Sequence, residues 1–123
     1  MLKEGLSYTS TLTVSDDKTA IAVGSGDMPV LATPMMMALM ENAAMLAVAP
    51  ELEEGMTTVG GHIESSHVKP SKVGAVVSAT ATLTKVEGKK LYFDIVAKMG
   101  EDVIGEGTHL RFIVNKDKFL QKL

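Results

Sequence analysis

The chain has 123 residues, of which 46% are hydrophobic and 22% are charged, a balance typical of one globular domain with a single core. Its 12 basic and 15 acidic residues give a formal net charge of −3, so there is no broad cationic surface and we expect no nucleic-acid partner. The chain contains no cysteine, which excludes a disulfide scaffold, a thiolate nucleophile and a zinc site built on sulfur.

The N-terminal segment and the longest apolar run both argue against a membrane protein. Residues 1–5 lead directly into serine and threonine and lack the apolar core of a signal peptide. The apolar run over residues 35–49 is interrupted by Glu41 and Asn42. A helix of this length reaches about 24 Å, which is short of a bilayer core of roughly 30 Å. We therefore expect a cytoplasmic protein with no membrane partner.

The segment before the apolar run contains one clear strand. Apolar and polar side chains alternate over residues 6–14, which predicts a half-buried strand. The short apolar run over residues 20–23 predicts a second strand. Residues 24–31 contain two glycines and Pro29 and follow no period, which indicates a loop.

Thr33 and Pro34 mark the beginning of a helix. A threonine oxygen can cap free amide groups, and proline is preorganised for the first helical position. Residues 34–49 are almost all non-polar and show no polar stripe. We therefore expect a helix that other elements surround on nearly all sides.

Four longer alternating segments and a short terminal helix follow. The predicted strands span residues 56–69, 73–87, 90–99 and 103–114, and the predicted helix spans residues 116–123. Short joints between strands favour antiparallel neighbours, so these strands are predicted to form a meander.

One buried helix and a curved antiparallel sheet wrapped around it form an α+β arrangement of the hotdog type, as one domain over residues 1–123. A single helix cannot cover every strand, and the open face or edge of the sheet should then meet a second copy. We therefore expect a homodimer.

Glu41 is the most informative residue because it lies in the middle of the apolar helix. Met37 and Met45 lie one turn away on either side. Burying an unpaired carboxylate costs several kcal/mol, so Glu41 needs a partner or a raised pKa. Either condition suits a general base or a nucleophile. Alternatively, Glu41 reaches solvent through a gap in the sheet and has no chemical role.

His67 is the expected partner of Glu41. It lies near the predicted end of a strand, where an imidazole can orient a carboxylate, share its proton or deprotonate water. The alternative is a partly exposed histidine without a role. His62 and Glu64 share one face of the predicted strand and His67 points to the other, so we expect no metal site.

Thr33 and the glycine pair Gly60-Gly61 complete the candidate site. Thr33 lies eight residues from Glu41, about 12 Å along a helix, so the two side chains cannot bond directly within one helix. They either flank the substrate or come from different subunits. The two glycines permit a bulge or a close approach of backbone to a ligand, where an amide could polarise a carbonyl oxygen; a plain bend of the sheet is the alternative.

Scattered cations are candidates for binding phosphate groups. They are Lys69, Lys72, Lys89, Lys90 and Arg111. Most are expected to be solvated, and Arg111 joins Gly60 and Gly61 as a candidate substrate-binding residue. The five methionines of the helix are core residues that could also line an adaptable acyl pocket. Motifs of nucleotide loops, serine hydrolases and zinc proteases are absent, and we expect no cofactor.

Three stretches of the chain are similar to a known family of hotdog-fold enzymes. They are Ala32-Thr33 leading into Leu39-Met40-Glu41; Gly60 followed by His67, Pro70 and Gly74; and Val-Glu-Gly-Lys-Lys-Leu at 86–91 with Ile-Gly-Glu-Gly-Thr-His at 104–109. Over about residues 33–114 the chain resembles the fluoroacetyl-CoA thioesterase family. The resemblance places that family's catalytic threonine, glutamate and histidine on Thr33, Glu41 and His67, and its substrate-side glycine on Gly60.

The resemblance implies hydrolysis of an acyl-CoA thioester to a carboxylic acid and CoA at a dimer interface. In that scheme Glu41 attacks the thioester or activates water, His67 transfers protons, and Thr33 positions the substrate or assists as a hydroxyl. Residues 24–31 lack the phenylalanines that form a lid in the fluoroacetate-specific enzyme, and Pro34 replaces a more flexible residue. A preference for fluorinated acyl groups therefore does not follow.

Two other functions remain open on the same fold. A non-catalytic module that binds acyl-CoA or an acyl carrier would use the same cleft without releasing thiol. A hydratase is less favoured because its characteristic acid and histidine signature is absent.

Overall fold

The computed structural model describes all residues, 1–123, as one sheet with a long helix packed on it. The strands are β1 (Ser7–Thr13), β2 (Met56–Ser65), β3 (Val76–Glu87), β4 (Lys90–Met99) and β5 (Asp102–Asn115). The helices are α1 (Ala20–Val23), α2 (Thr33–Val48) and α3 (Lys116–Gln121), with 3₁₀ turns at Asp16–Lys18 and Ala49–Glu51. The strands are ordered β1-β3-β4-β5-β2 and every neighbouring pair is antiparallel.

The core lies between α2 and one face of the sheet. On β3 and β4 every second side chain is buried, so the period of two in the sequence corresponds to one face packed on the helix. The buried residues are Val77, Ala79, Ala81 and Leu83 on β3 and Leu91, Phe93, Ile95 and Ala97 on β4. Alanine on both strands and at Ala43, Ala44 and Ala47 of α2 keeps the helix close to the sheet.

The long helix begins one residue earlier than predicted. Ala32 is the N-cap, and Thr33 is the first helical residue. The predicted capping role of Thr33 is therefore wrong, because its hydroxyl bonds to another element. One side of α2, including Ala38 and Asn42, is exposed in the single chain.

The predicted strand over residues 20–23 is instead the single turn of helix α1. The side chain of Thr19 accepts a hydrogen bond from the amide of Ala22, and Gly24 ends the turn with a φ of 80°. Four apolar residues are too few to distinguish a period of two from a period of 3.6, whereas the capping threonine and the left-handed glycine favour a helix.

The predicted meander is wrong at its first joint. β2 does not pair with β3; it pairs with β5 and forms one edge of the sheet. β2 ends at Ser65, and residues 66–75 form a crossing connection. This segment first follows β5, where the Val68 amide bonds to Ile104 O. It then reaches the end of β1, where the Gly74 amide bonds to the carbonyl oxygen of Val14, the residue after the strand. A connection of this length can cross the end of the sheet, whereas a tight hairpin cannot.

The other predicted strands and the terminal helix are confirmed within a few residues. The edges of the sheet are β1 and β2, so the full length of β2 has backbone groups without a neighbouring strand on one side. None of the helices combines the length and the apolar character that crossing a membrane requires.

Candidate active site

Thr33 and His67 form a hydrogen-bonded pair at the beginning of α2. His67 lies on the crossing connection, just after β2, and its Nδ1 is 2.7 Å from Thr33 Oγ1. Burial lowers the pKa of the His67 imidazole, so the ring is favoured in its neutral form. A neutral imidazole with Nδ1 unprotonated accepts the hydroxyl proton of Thr33, which is the arrangement of a base and its hydroxyl.

The second ring nitrogen of His67 has no partner within the chain. Nε2 is buried and makes no hydrogen bond. Because buried polar atoms are nearly always paired, this atom is available to a group that enters the site. The pair borders a hollow of about 260 Å³, whose other lining residues are Ala20, Ser25, Val30, Leu31, Val68, Lys69 and Pro70. None of its lining residues is aromatic apart from His67.

Glu41, on α2, contacts a second group of polar residues, which lie on the inner face of the sheet. Its Oε2 is 3.9 Å from Arg111 Nη1 and 3.9 Å from His109 Nε2, and its side chain is 42% exposed. It makes no hydrogen bond to Thr33 or His67. The predicted pairing of Glu41 with His67 is therefore not formed within one chain.

Arg111 is a buried cation held by neutral groups. Its Nε donates to Thr58 Oγ1 at 2.7 Å, its Nη2 donates to Thr58 O at 2.9 Å, and its Nη1 is 3.1 Å from His109 Nε2. Burial lowers the pKa of Arg111 and Glu41 opposes this shift; an arginine nevertheless stays charged in proteins. The buried guanidinium is therefore directed towards the Glu41 carboxylate.

Gly60 and Gly61 lie on opposite faces of β2, at the position where its register with β5 shifts. A Cβ on Gly60 would lie 2.6 Å from Glu41 Oε2, so the carboxylate occupies the space a side chain would need. A Cβ on Gly61 would overlap the ring of Phe112 on the outer face. The predicted bulge is present as this register shift, and the contacts with Glu41 and Phe112 require both glycines, which a plain bend does not explain.

The remaining sequence candidates lie apart from these two groups. His62 and Glu64 are exposed, with Nε2 and Oε1 3.9 Å apart, and His67 is bonded to Thr33 instead of converging with them. Lys69 pairs with Asp102 on the surface at 2.8 Å, and Lys72, Lys89 and Lys90 are exposed.

Sequence reasoning missed Thr58 and His109. A signal was present, because Arg111 is the sole arginine among 12 basic residues and alternates with His109 on one strand. Two polar side chains that share the inner face of a sheet with the core require partners there.

The residues match a family model described as fluoroacetyl-CoA-specific thioesterase (FlK) over positions 14–117. The chain belongs to this family. The fluoroacetyl-CoA thioesterase of Streptantibioticus cattleyicolor is 40% identical to it over 94 residues, which cover 76% of this chain and 68% of that protein. The crystal structure of FlK superposes with a TM-score of 0.92 at 34% identity, covering 99% of this chain and 95% of the other.

Two more distant structures extend the comparison. A thioesterase superfamily member from Thermus thermophilus is 28% identical, with a TM-score of 0.90 and a coverage of 98% of this chain and 90% of the other. A hot-dog-like protein from Thermanaerovibrio acidaminovorans, 21% identical with a TM-score of 0.88, shares the fold. The predicted hotdog fold and the thioesterase class are therefore confirmed.

Proposed function

We propose that this thioesterase hydrolyses a short acyl-CoA to the carboxylic acid and free CoA, with Thr33, His67 and Glu41 as catalytic residues. The observation that carries the proposal is the Thr33–His67 hydrogen bond, together with the buried and unpaired Nε2 on the other side of the ring. The 260 Å³ hollow beside the pair is large enough to hold a short acyl group. Crystals of FlK variants contain fluoroacetate with CoA, or acetyl-CoA.

In this mechanism Thr33 Oγ1 attacks the thioester carbonyl carbon while His67 Nδ1 takes the hydroxyl proton. The imidazolium then protonates the sulfur of the leaving CoA, and an acyl ester of Thr33 remains. Water attacks that ester, His67 again takes the proton, and the acid leaves as the Thr33 hydroxyl is restored. The attack is thus assigned to Thr33, whereas the sequence suggested Glu41 itself or a water activated by it.

Glu41 completes the site from a second copy of the chain. Within one chain it faces Arg111, and eight residues separate it from Thr33, about 12 Å along α2. In a homodimer, the partly exposed carboxylate of one protomer accepts a hydrogen bond from His67 Nε2 of the other and stabilises the imidazolium. The unpaired edge of β2 and the exposed side of α2 support such a dimer.

The glycine pair and Arg111 bind the substrate in this proposal. The backbone at Gly60 and Gly61 presents an amide to the carbonyl oxygen, which becomes negative in the tetrahedral intermediate. Arg111 places a positive charge beside Glu41, and this charge also faces the negatively charged product. Both roles require the side chain of Gly60 to be absent, because the carboxylate lies against its Cα.

Thiol release from a panel of acyl-CoAs tests the activity, and mixing two inactive variants tests the shared site. Thr33→Ala and Glu41→Ala should each be inactive. After they are denatured together and refolded, half of the dimers contain one intact site, so about a quarter of the wild-type activity should return. Each variant refolded alone is the control. A site formed within one chain predicts no recovery.

Two outcomes would contradict the proposal in different ways. Thermal stabilisation by acyl-CoA without thiol release from any substrate would identify a binding module. Active enzyme that shows no acylated Thr33 by mass spectrometry after rapid quenching would leave the thioesterase in place and return the attack to Glu41 or to water.

A further inference from the structure

His109 is a buried imidazole that the proposed chemistry does not use. Its side chain is fully buried. Nδ1 lies 2.7 Å from the carbonyl oxygen of His62, and Nε2 lies 3.1 Å from Arg111 Nη1. A carbonyl oxygen only accepts and a guanidinium only donates, so the ring carries its proton on Nδ1 and accepts at Nε2. These two contacts select one tautomer of a neutral ring.

The neutral state of His109 has a consequence for Arg111. The guanidinium donates to three acceptors, Thr58 Oγ1, Thr58 O and His109 Nε2, and none of them carries a charge. The hydrogen bonds therefore fix the orientation of the guanidinium without neutralising it. The nearest anion is the Glu41 carboxylate, whose Oε2 lies 3.9 Å from Arg111 Nη1, so the positive charge of Arg111 faces it.

The other contact of His109 holds the backbone of β2. The carbonyl of His62 follows directly after the register shift that begins at Gly60. Gly60 is the residue whose Cα lies against Glu41. One ring therefore connects the two elements that surround the carboxylate: the guanidinium on β5 and the bulge on β2.

We propose that His109 is a positioning residue for the Glu41 carboxylate: as a neutral imidazole it holds the Arg111 guanidinium beside Glu41 and ties down the bulge that places Gly60 there. Its effect on turnover rests on the proposed function, whereas its protonation state does not. The charged and titratable groups around the ring are Arg111 on β5, Glu41 on α2 and His62 on β2.

The protonation state is tested by long-range ¹⁵N–¹H NMR of the histidine rings, which distinguishes the two neutral tautomers from the cation. The chain has three histidines, and the His109 signals are those missing in His109→Gln. The expected result is the Nδ1–H tautomer at neutral pH, because the two contacts select it and burial lowers the pKa of this ring. An Nε2–H tautomer or a protonated ring at neutral pH would overturn the proposal.

Three substitutions separate the two contacts. His109→Gln offers an acceptor near the position of Nε2, His109→Asn offers only a donor near Nδ1, and His109→Phe offers neither. We expect His109→Gln and His109→Asn, which each keep one of the two contacts, to retain more activity than His109→Phe. His109→Phe, which keeps neither, should lower kcat by about 10²-fold with little change in KM, since a misplaced catalytic group costs on this order.

A matched control separates positioning from simple loss of stability. Val77→Ala removes buried methyl groups on β3, away from β5, and should lower the Tm without changing kcat of the folded enzyme. If kcat falls equally in all three His109 variants, or only in proportion to their Tm, His109 is structural and the proposal is wrong. If the wild type releases no thiol, the proposed function fails, and the NMR result still decides the role of the ring towards Arg111.

Discussion

The Glu41 carboxylate occupies the space that a side chain on residue 60 would need. Its Oε2 lies 2.6 Å from the position of a Cβ on Gly60, closer than real Cβ contacts allow. The observed position of the Glu41 side chain therefore requires a glycine at residue 60. Likewise, the ring of Phe112 occupies the space that a side chain on residue 61 would need, on the opposite face of β2.

Gly60→Ala should lower thioesterase activity because the new methyl group must displace the carboxylate. The carboxylate ends a flexible side chain, so the fold tolerates the change and the Tm should decrease only slightly. Gly61→Ala is the matched variant: its methyl group meets the Phe112 ring, and the main effect should be a lower Tm. Kinetics and thermal melts of both proteins check this pair. Unchanged turnover in Gly60→Ala would show that the position of Glu41 is not critical.

Thr33→Val should abolish turnover without destabilising the protein. The hydroxyl makes the bond to His67 but does not cap α2, so its loss removes the attacking group and leaves the helix intact. We expect kcat to fall by about 10² to 10⁴-fold and the Tm to remain nearly the same, while Thr33→Ser retains measurable activity. A large decrease in Tm for Thr33→Val would indicate a structural role instead.

Arg111→Lys should behave as a severe change although it preserves the charge. A lysine cannot donate at once to Thr58 Oγ1, Thr58 O and His109 Nε2, so buried acceptors lose their partners. We expect a loss of about 1–3 kcal/mol in the free energy of unfolding, together with reduced turnover. Lys98→Met, at an exposed position on β4, is the control and should change neither.

The pH profile of kcat/KM should have an acid limb set by His67. The ring acts as a base only when neutral, so activity falls as the pH drops through the pKa of His67. Burial lowers this pKa within one chain, whereas the proposed contact with Glu41 of the partner subunit raises it. Glu41→Gln should therefore move the midpoint of the acid limb to lower pH, and an unchanged midpoint would contradict the contact between His67 and Glu41.

Stability should also depend on pH in the same region. Both His67 and His109 have lowered pKa values in the folded state, mainly because of burial. Below about pH 6.5 the unfolded chain therefore binds more protons than the folded one, and the free energy of unfolding rises with pH until it levels off above 6.5. Urea titrations at several pH values measure this slope, and His109→Gln should reduce it. A stability that decreases as the pH rises through this window would contradict the assignment.

Much of the secondary structure could be predicted from the sequence because it depends on local patterns. Strict alternation identifies β3, β4 and β5, and Pro34 identifies the beginning of α2. The helix α1 could not be distinguished from a strand by its apolar residues alone. The partner of β2 could not be predicted at all, because a strand's neighbour depends on the path of residues 66–75 across the sheet.

The candidate catalytic residues could be predicted from the sequence, but their partners could not. Thr33, Glu41 and His67 stand out by residue type and spacing, but their partners depend on the three-dimensional arrangement. His67 bonds to Thr33 because the crossing connection ends beside the first turn of α2. Glu41 faces Arg111 because its carboxylate lies against Gly60 on β2, and β5, which carries Arg111, is the neighbour of β2. Pairings between elements this distant in the sequence leave no local pattern.

The pairing of β2 with β5 also has a consequence for synthesis of the protein on the ribosome. β2 has no strand beside it until residues up to Asn115 have left the exit tunnel, because its only neighbour is the last strand to be made. Arg111 and His109 arrive with that same strand. A nascent chain that stops before β5 therefore exposes a bare strand edge and lacks the cation beside Glu41, so truncated products should aggregate before they acquire any activity.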